Sequence, residues 1–259
     1  MTAEVPTSAE TWLRRYVSRP FATHTLYCFP YAGGSAGAFR DLALACSEQV
    51  DVAAIQLPGR ADRYAEAPRL DIGALGRDLA RALSSDAAER SYAFLGHSMG
   101  ALIAYETAHS IATAGGPPPA LFVASAASPP SAAAYGAFWA SRTDDDLLGR
   151  MGDLGGLPPE ASAYPELLQI TLQTMRADLQ LIDSYQDLTA ARPRLDCPAL
   201  VLGGVDDPLV VADALEEWTE LFHGPAVVRR MPGGHFYLTG AISEVARIVT
   251  RSLTEGLND

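Results

Sequence analysis

With 259 residues, 48% of them hydrophobic, and a mean hydropathy of +0.06, the chain can bury one large core without disulfides or metal. A formal net charge of −12 with no basic cluster excludes the cationic face that nucleic acid or anionic membrane rewards, and no run of about eighteen apolar residues is present to cross a bilayer. The three cysteines, Cys28, Cys46 and Cys197, are odd in number, far apart and without a nearby His in ligand spacing, so they read as reduced buried thiols.

The opening residues lack the apolar segment of a secretory leader, and the expectation is a soluble, cytoplasmic, monomeric protein of one domain. From residue 24 onward, short β-rich apolar runs alternate with helical periodicity. Strands are predicted at 24–29, 51–57 and 91–95, each followed by a helix, at 37–47, 72–84 and 99–112. That alternation predicts βαβ units around a mostly parallel sheet flanked by helices, an α/β fold. Gly115-Gly116-Pro117-Pro118-Pro119 breaks the third helix, a fourth strand follows at 121–125, and Pro129-Pro130 ends it. The sheet resumes at 199–202 and 226–230.

Between those stretches, residues 131–193 carry helical pattern only, including Trp139, Leu147, Leu148 and an amphipathic run over 167–185. A strand-free insertion rich in aromatics and leucines is too apolar for a linker and is expected to form a lid. Within it, Thr143 followed by Asp144-Asp145-Asp146 reads as a capped first helical turn, not a metal site.

Gly96-His97-Ser98-Met99-Gly100 follows an apolar strand and opens a helix, the context a nucleophile elbow requires. Its glycines leave room for a tight turn that exposes the Ser98 hydroxyl. A hydroxyl needs a base, and the chain order Ser, acid, His of this motif directs attention to a loop after a late strand. His235, in Met231-Pro232-Gly233-Gly234-His235-Phe236, is that base; His24, His97, His109 and His223 have weaker positions. The acid is expected after the preceding strand, where Gly203-Gly204-Val205-Asp206-Asp207-Pro208 offers two carboxylates. Counting from Gly204 selects Asp207, and counting from Gly203 selects Asp206; Asp207 is preferred. Cys28-Phe29-Pro30-Tyr31-Ala32-Gly33-Gly34-Ser35 ends the first strand, so the backbone N–H groups of Ala32 and Met99 are the expected oxyanion donors.

These residues sit within a wider pattern. Trp12-Leu13-Arg14-Arg15, Phe29-Pro30-Tyr31-Ala32-Gly33-Gly34, Gln56-Leu57-Pro58-Gly59-Arg60 with Arg63, Gly96-His97-Ser98-Met99-Gly100, Leu157-Pro158-Pro159, Arg176-Ala177-Asp178 and Gly233-Gly234-His235-Phe236 run through nearly the whole chain. On them the sequence resembles the type II thioesterases that accompany polyketide and nonribosomal peptide synthases, within the α/β-hydrolases. Tyr31 departs from the His common there. The resemblance implies an editing hydrolase that removes stalled acyl groups from the phosphopantetheine arm of a carrier protein, with no metal and no cofactor of its own. Tyr31, Phe138, Trp139 and Met175 are then expected along the substrate channel. Arg60 is read as a loop arginine paired with local carboxylates, and Arg60, Arg63 and Arg69 as candidates for a carrier-docking patch. A general esterase or lipase on free small esters, and a silent carrier-binding module, are the alternatives.

Overall fold

The computed structural model describes residues 8–87, 90–131, 141–156, 164–210 and 212–257. Its sheet has seven strands among the described residues: β1 (Leu13–Arg14), β2 (His24–Phe29), β3 (Val50–Ile55), β4 (Ser91–His97), β5 (Leu121–Ser125), β6 (Ala199–Gly204) and β7 (Ala226–Met231). The spatial order is β1-β3-β2-β4-β5-β6-β7. All neighbours are parallel except β1, a two-residue edge strand antiparallel to β3 with Leu13 opposite Ile55.

The inner strands are mostly apolar because both faces of the sheet are covered, with Thr25 and Asp51 among the buried polar exceptions. Successive residues point to opposite faces. In β2, Tyr27 and Phe29 enter one core while Leu26 and Cys28 enter the other; in β5, Phe122 and Ala124 oppose Leu121 and Val123. Helices α1 (Ala9–Trp12), α3 (Ile72–Ala87) and α4 (Met99–Thr113) cover the first face; α2 (Arg40–Ala45) and α9 (Ile242–Glu255) cover the second. The cysteines are buried free thiols.

Between β5 and β6 lie α5 (Asp144–Asp153) and α6 (Pro165–Asp183), with no strand among the described residues. Thr143 caps α5 in a capping box: its hydroxyl accepts from Asp146 N–H and Asp146 accepts from Thr143 N–H, which accounts for the acidic run. Helices α7 (Ala212–Glu217) and α8 (Tyr237–Gly240) complete the later half. The early segment holding α1 and β1 was not anticipated; it is anchored by Trp12, fully buried, whose carbonyl accepts Gln56 N–H at 2.7 Å.

The chain leaves β2 towards β3 on one side and returns to β4 on the other. This reversal opens a crevice at the carboxyl ends of β2 and β4, where open parallel sheets bind ligands. The loop after β2 and the turn after β4 face each other across it.

Candidate active site

Ser98 sits at φ +53°, ψ −122°, between the end of β4 and the first residue of α4. A non-glycine residue held at positive φ stores strain that the surroundings must enforce. They do so by contact: a Cβ on Gly96 would overlap Gly100 O and the backbone of Ala101, and one on Gly100 would overlap Phe29 O at the end of β2. Ser98 N–H is also bound to Ser125 O at 2.8 Å. The hydroxyl is thereby lifted above the sheet.

His235 Nε2 stands 3.0 Å from Ser98 Oγ, and its Nδ1 2.8 Å from Asp207 Oδ2. His235 is 3% exposed, and the Asp207 side chain is fully covered. Asp207 Oδ1 accepts Leu209 N–H at 2.8 Å and Val210 N–H at 3.3 Å, so both carboxylate oxygens are occupied. Burial alone would raise its pKa; the hydrogen bond and charge of His235, together with these two N–H groups, outweigh it and hold the carboxyl below its ordinary value. Asp206 is exposed and meets the histidine loop through its backbone, N–H to Gly233 O at 3.0 Å. Gly204 permits that approach, because a Cβ there would overlap the carbonyls of Gly233 and Gly234.

Behind the triad, His97 Nδ1 and Ser125 Oγ are 2.8 Å apart, and Ser125 Oγ and Tyr237 Oη 2.6 Å. Burial, reinforced by the neighbouring His235, pushes the His97 pKa down to about 3, so this imidazole is neutral at ordinary pH. The His97 ring also packs against Tyr31 and Phe236, with centroids 5.7 and 5.8 Å away.

Ser98 opens into a cavity of about 180 Å³ whose lining includes Ala32, Tyr31 and His235 on the core side, and Leu147, Met151, Met175 and Ile182 from α5 and α6. Ala32 and Met99 flank the serine. Met99 is the first residue of α4, where N–H groups lack intrahelical partners, and no protein acceptor among the described residues takes Ala32 N–H. Of the residues expected along a channel, Tyr31 and Met175 line this cavity; Phe138 and Trp139 lie outside the described residues.

Arg60 departs from its expected local pairing. It forms a bidentate pair with Asp178 on α6, 118 residues away, with both contacts at 2.6 Å and exposures of 5% and 1%. The carboxylates close to Arg60 in sequence lie on the surface loop, whereas its guanidinium points inward beneath α6. Two motifs of the family pattern, Pro-Gly-Arg and Arg-Ala-Asp, are thus joined in one contact. Removing either partner would strand a buried charge at a cost of about 3–5 kcal/mol. Arg63 is likewise 4% exposed, with its guanidinium 4.4 Å above the Trp12 ring and bonded to Gln56 O. Neither can form a docking patch; Arg69, paired with Asp78 at 3.2 Å, keeps a third of its side chain exposed.

A strained serine between a parallel strand and a helix, held in line with a histidine and a buried carboxylate, defines a serine hydrolase of the α/β-hydrolase type. A sequence profile for the thioesterase domain matches residues 24–253. The chain is 33% identical to a probable cadicidin biosynthesis thioesterase of Streptomyces griseus, over 95% of this chain and 67% of that one. It is 31% identical to thioesterase PikA5 of Streptomyces venezuelae, over 96% and 88%. Among solved structures it resembles the type II thioesterase BorB of the borrelidin cluster (TM-score 0.83, 32% identity, 97% and 100% covered) and RedJ with a PEG molecule in its active site (TM-score 0.80, 34% identity, 93% and 94%). The chain belongs to the thioesterase family.

Proposed function

We propose that this protein is a type II thioesterase that frees carrier proteins of polyketide or nonribosomal peptide assembly from stalled acyl groups. Solved relatives of similar length titled for NRPS/PKS pathways support the reading, and the observation that carries the chemistry is the Ser98–His235–Asp207 alignment beside an apolar cavity.

Ser98 Oγ attacks the thioester carbonyl while His235 Nε2 takes its proton, and Asp207 stabilises the imidazolium. The N–H groups of Ala32 and Met99 receive the carbonyl oxygen as it becomes an oxyanion. The tetrahedral intermediate collapses with cleavage of the C–S bond, and the departing sulfur takes the proton from His235. A thiol of pKa about 8.5 leaves readily, so no metal is required. Water then attacks the acyl-Ser98 ester as the same imidazole takes its proton, and the imidazolium gives that proton to Ser98 Oγ as the C–O bond breaks and the acid leaves. The channel leads the phosphopantetheine arm, which the substrate brings with it, and α5 with α6 serve as the lid over the acyl end.

Intact-mass spectrometry of acyl-loaded carrier proteins, before and after incubation with the enzyme, tests this. Loss of the acyl mass from carriers, with free esters of the same acid cleaved more slowly, is the expected result. Cleavage confined to free esters would favour a general esterase.

A further inference from the structure

Tyr31 to Gly34 form a tight turn: Gly34 N–H bonds to Tyr31 O at 2.9 Å, and Gly33 has φ +78°, the pattern of a type II turn that calls for glycine at its third position. A trans peptide is planar, with its C=O and N–H pointing in opposite directions. Because Tyr31 O is held inside the turn by Gly34 N–H, the N–H of the same peptide, that of Ala32, points outward. Two further polar groups of the turn are held from outside. Gly33 N–H donates to Asp178 Oδ2 at 2.7 Å, and Gly34 O accepts from Arg60 Nη1 at 3.0 Å. Asp178 and Arg60 are also bonded to each other, closing a ring of contacts away from solvent. Gln56, also buried, adds to it: Oε1 accepts Ala36 N–H at 3.1 Å and Nε2 donates to Arg60 O at 3.2 Å. Asp178 lies on α6, three residues from Met175, which touches the position of Gly33 and lines the cavity.

We propose that Arg60 and Asp178 are positioning residues: seated together, they hold the turn in the one geometry that aims Ala32 N–H at the oxyanion, and they make that geometry conditional on α6 being docked. The oxyanion donor is then coupled to the seating of α6, which also carries Met175 of the cavity wall. A substrate that seats α6 also completes the donor pair. The inference rests on Ala32 serving as an oxyanion donor. Such a device acts on the transition state and leaves ground-state binding almost unchanged.

The test is the double variant Arg60→Met/Asp178→Leu, since apolar replacement of a buried ion pair preserves folding better than removing one partner. With an acyl-carrier substrate, kcat should fall at least tenfold, and about 10²-fold if the donor is lost outright, while KM stays within about threefold and the pH profile of kcat keeps its shape. Affinity for a phosphonate mimic of the tetrahedral intermediate should fall with kcat, and affinity for a non-hydrolysable thioether analogue should not. A kcat loss below tenfold, or a loss expressed mainly in KM, overturns the proposal. If circular dichroism shows the double variant unfolded, Asp178→Asn decides: its amide oxygen can take only one of the two oxygen positions that between them accept three contacts, so kcat should fall at least fivefold, and a smaller loss overturns the proposal. Ser98→Ala in parallel separates the two levels, because full activity there would remove the serine-hydrolase reading itself, not this refinement.

Discussion

Asp207 Oδ2 lies 2.8 Å from His235 Nδ1, while its neighbour Asp206 turns to solvent and holds the same loop only through its backbone. Two adjacent carboxylates therefore take separate tasks, orientation of the base and fastening of the loop. Asp207→Asn should reduce kcat by up to about 10⁴, because His235 loses the partner that fixes its tautomer. Asp206→Asn should stay within about threefold of wild type, its backbone contact being intact. Parallel assays on one acyl-carrier substrate check this, and a larger loss at Asp206 would reverse the assignment.

Ser98→Ala removes one hydroxyl from a turn that is held by backbone contacts, so the fold should persist while turnover falls by several powers of ten. Equal melting temperatures with retained turnover, within tenfold of wild type, would count against the nucleophile. A fluorophosphonate should add its mass at Ser98 and not at Ser35 or Ser125.

A cavity of about 180 Å³ is close to the roughly 150 Å³ that accommodates a benzene ring. Acyl groups of up to about six carbons are expected to be cleaved best, with rates falling beyond that length. Met151→Ala should extend the range, since Met151 lines the cavity from α5. Rates for a series of acyl-loaded carriers read this out; an unchanged series in Met151→Ala would place the acyl group elsewhere.

The two helices over the site differ in anchorage. Helix α6 is tied to the core through Asp178, whereas α5 buries only Leu147 and Met151 and packs on α6. Amide exchange should be faster in α5 than in α6, and faster in both than in β4, because opening free energy follows buried contacts. Protection of α5 equal to that of β4 would mean that it does not open as a lid.

Burial holds the pKa of His97 at about 3, and burial assisted by Arg192 holds that of His109 at about 4. Both lie below the unfolded value of 6.5, so between these limits the unfolded chain binds more protons than the native one. Stability is complete above about pH 6.5 and falls as the pH is lowered, by up to about 1.4 kcal/mol per pH unit for each histidine. Denaturant midpoints at pH 7.5, 6 and 5 should decline accordingly, and His109→Leu should decline less steeply. Equal slopes would show that His109 does not contribute.

The sequence by itself determined the α/β alternation, the strand that delivers Ser98, and the loops that carry His235 and the paired aspartates, because each depends on local periodicity and on glycines a short turn requires. The strands at 24–29 and 121–125 match β2 and β5 residue for residue. What it could not determine is which distant charges meet. Nothing within a few residues of Arg60 signals Asp178, and the burial that makes their pairing necessary exists only once α6 lies across the loop after β2. The same holds for the His97, Ser125 and Tyr237 chain, and for Arg192 with Tyr185 on Glu106, where residues distant in sequence bond to one another. For His97, Ser125 and Glu106, their appearance as isolated polar residues in largely apolar segments was the available signal. Local pattern specifies elements; the partners of buried polar groups are chosen by tertiary packing, since only there does leaving water compel a match.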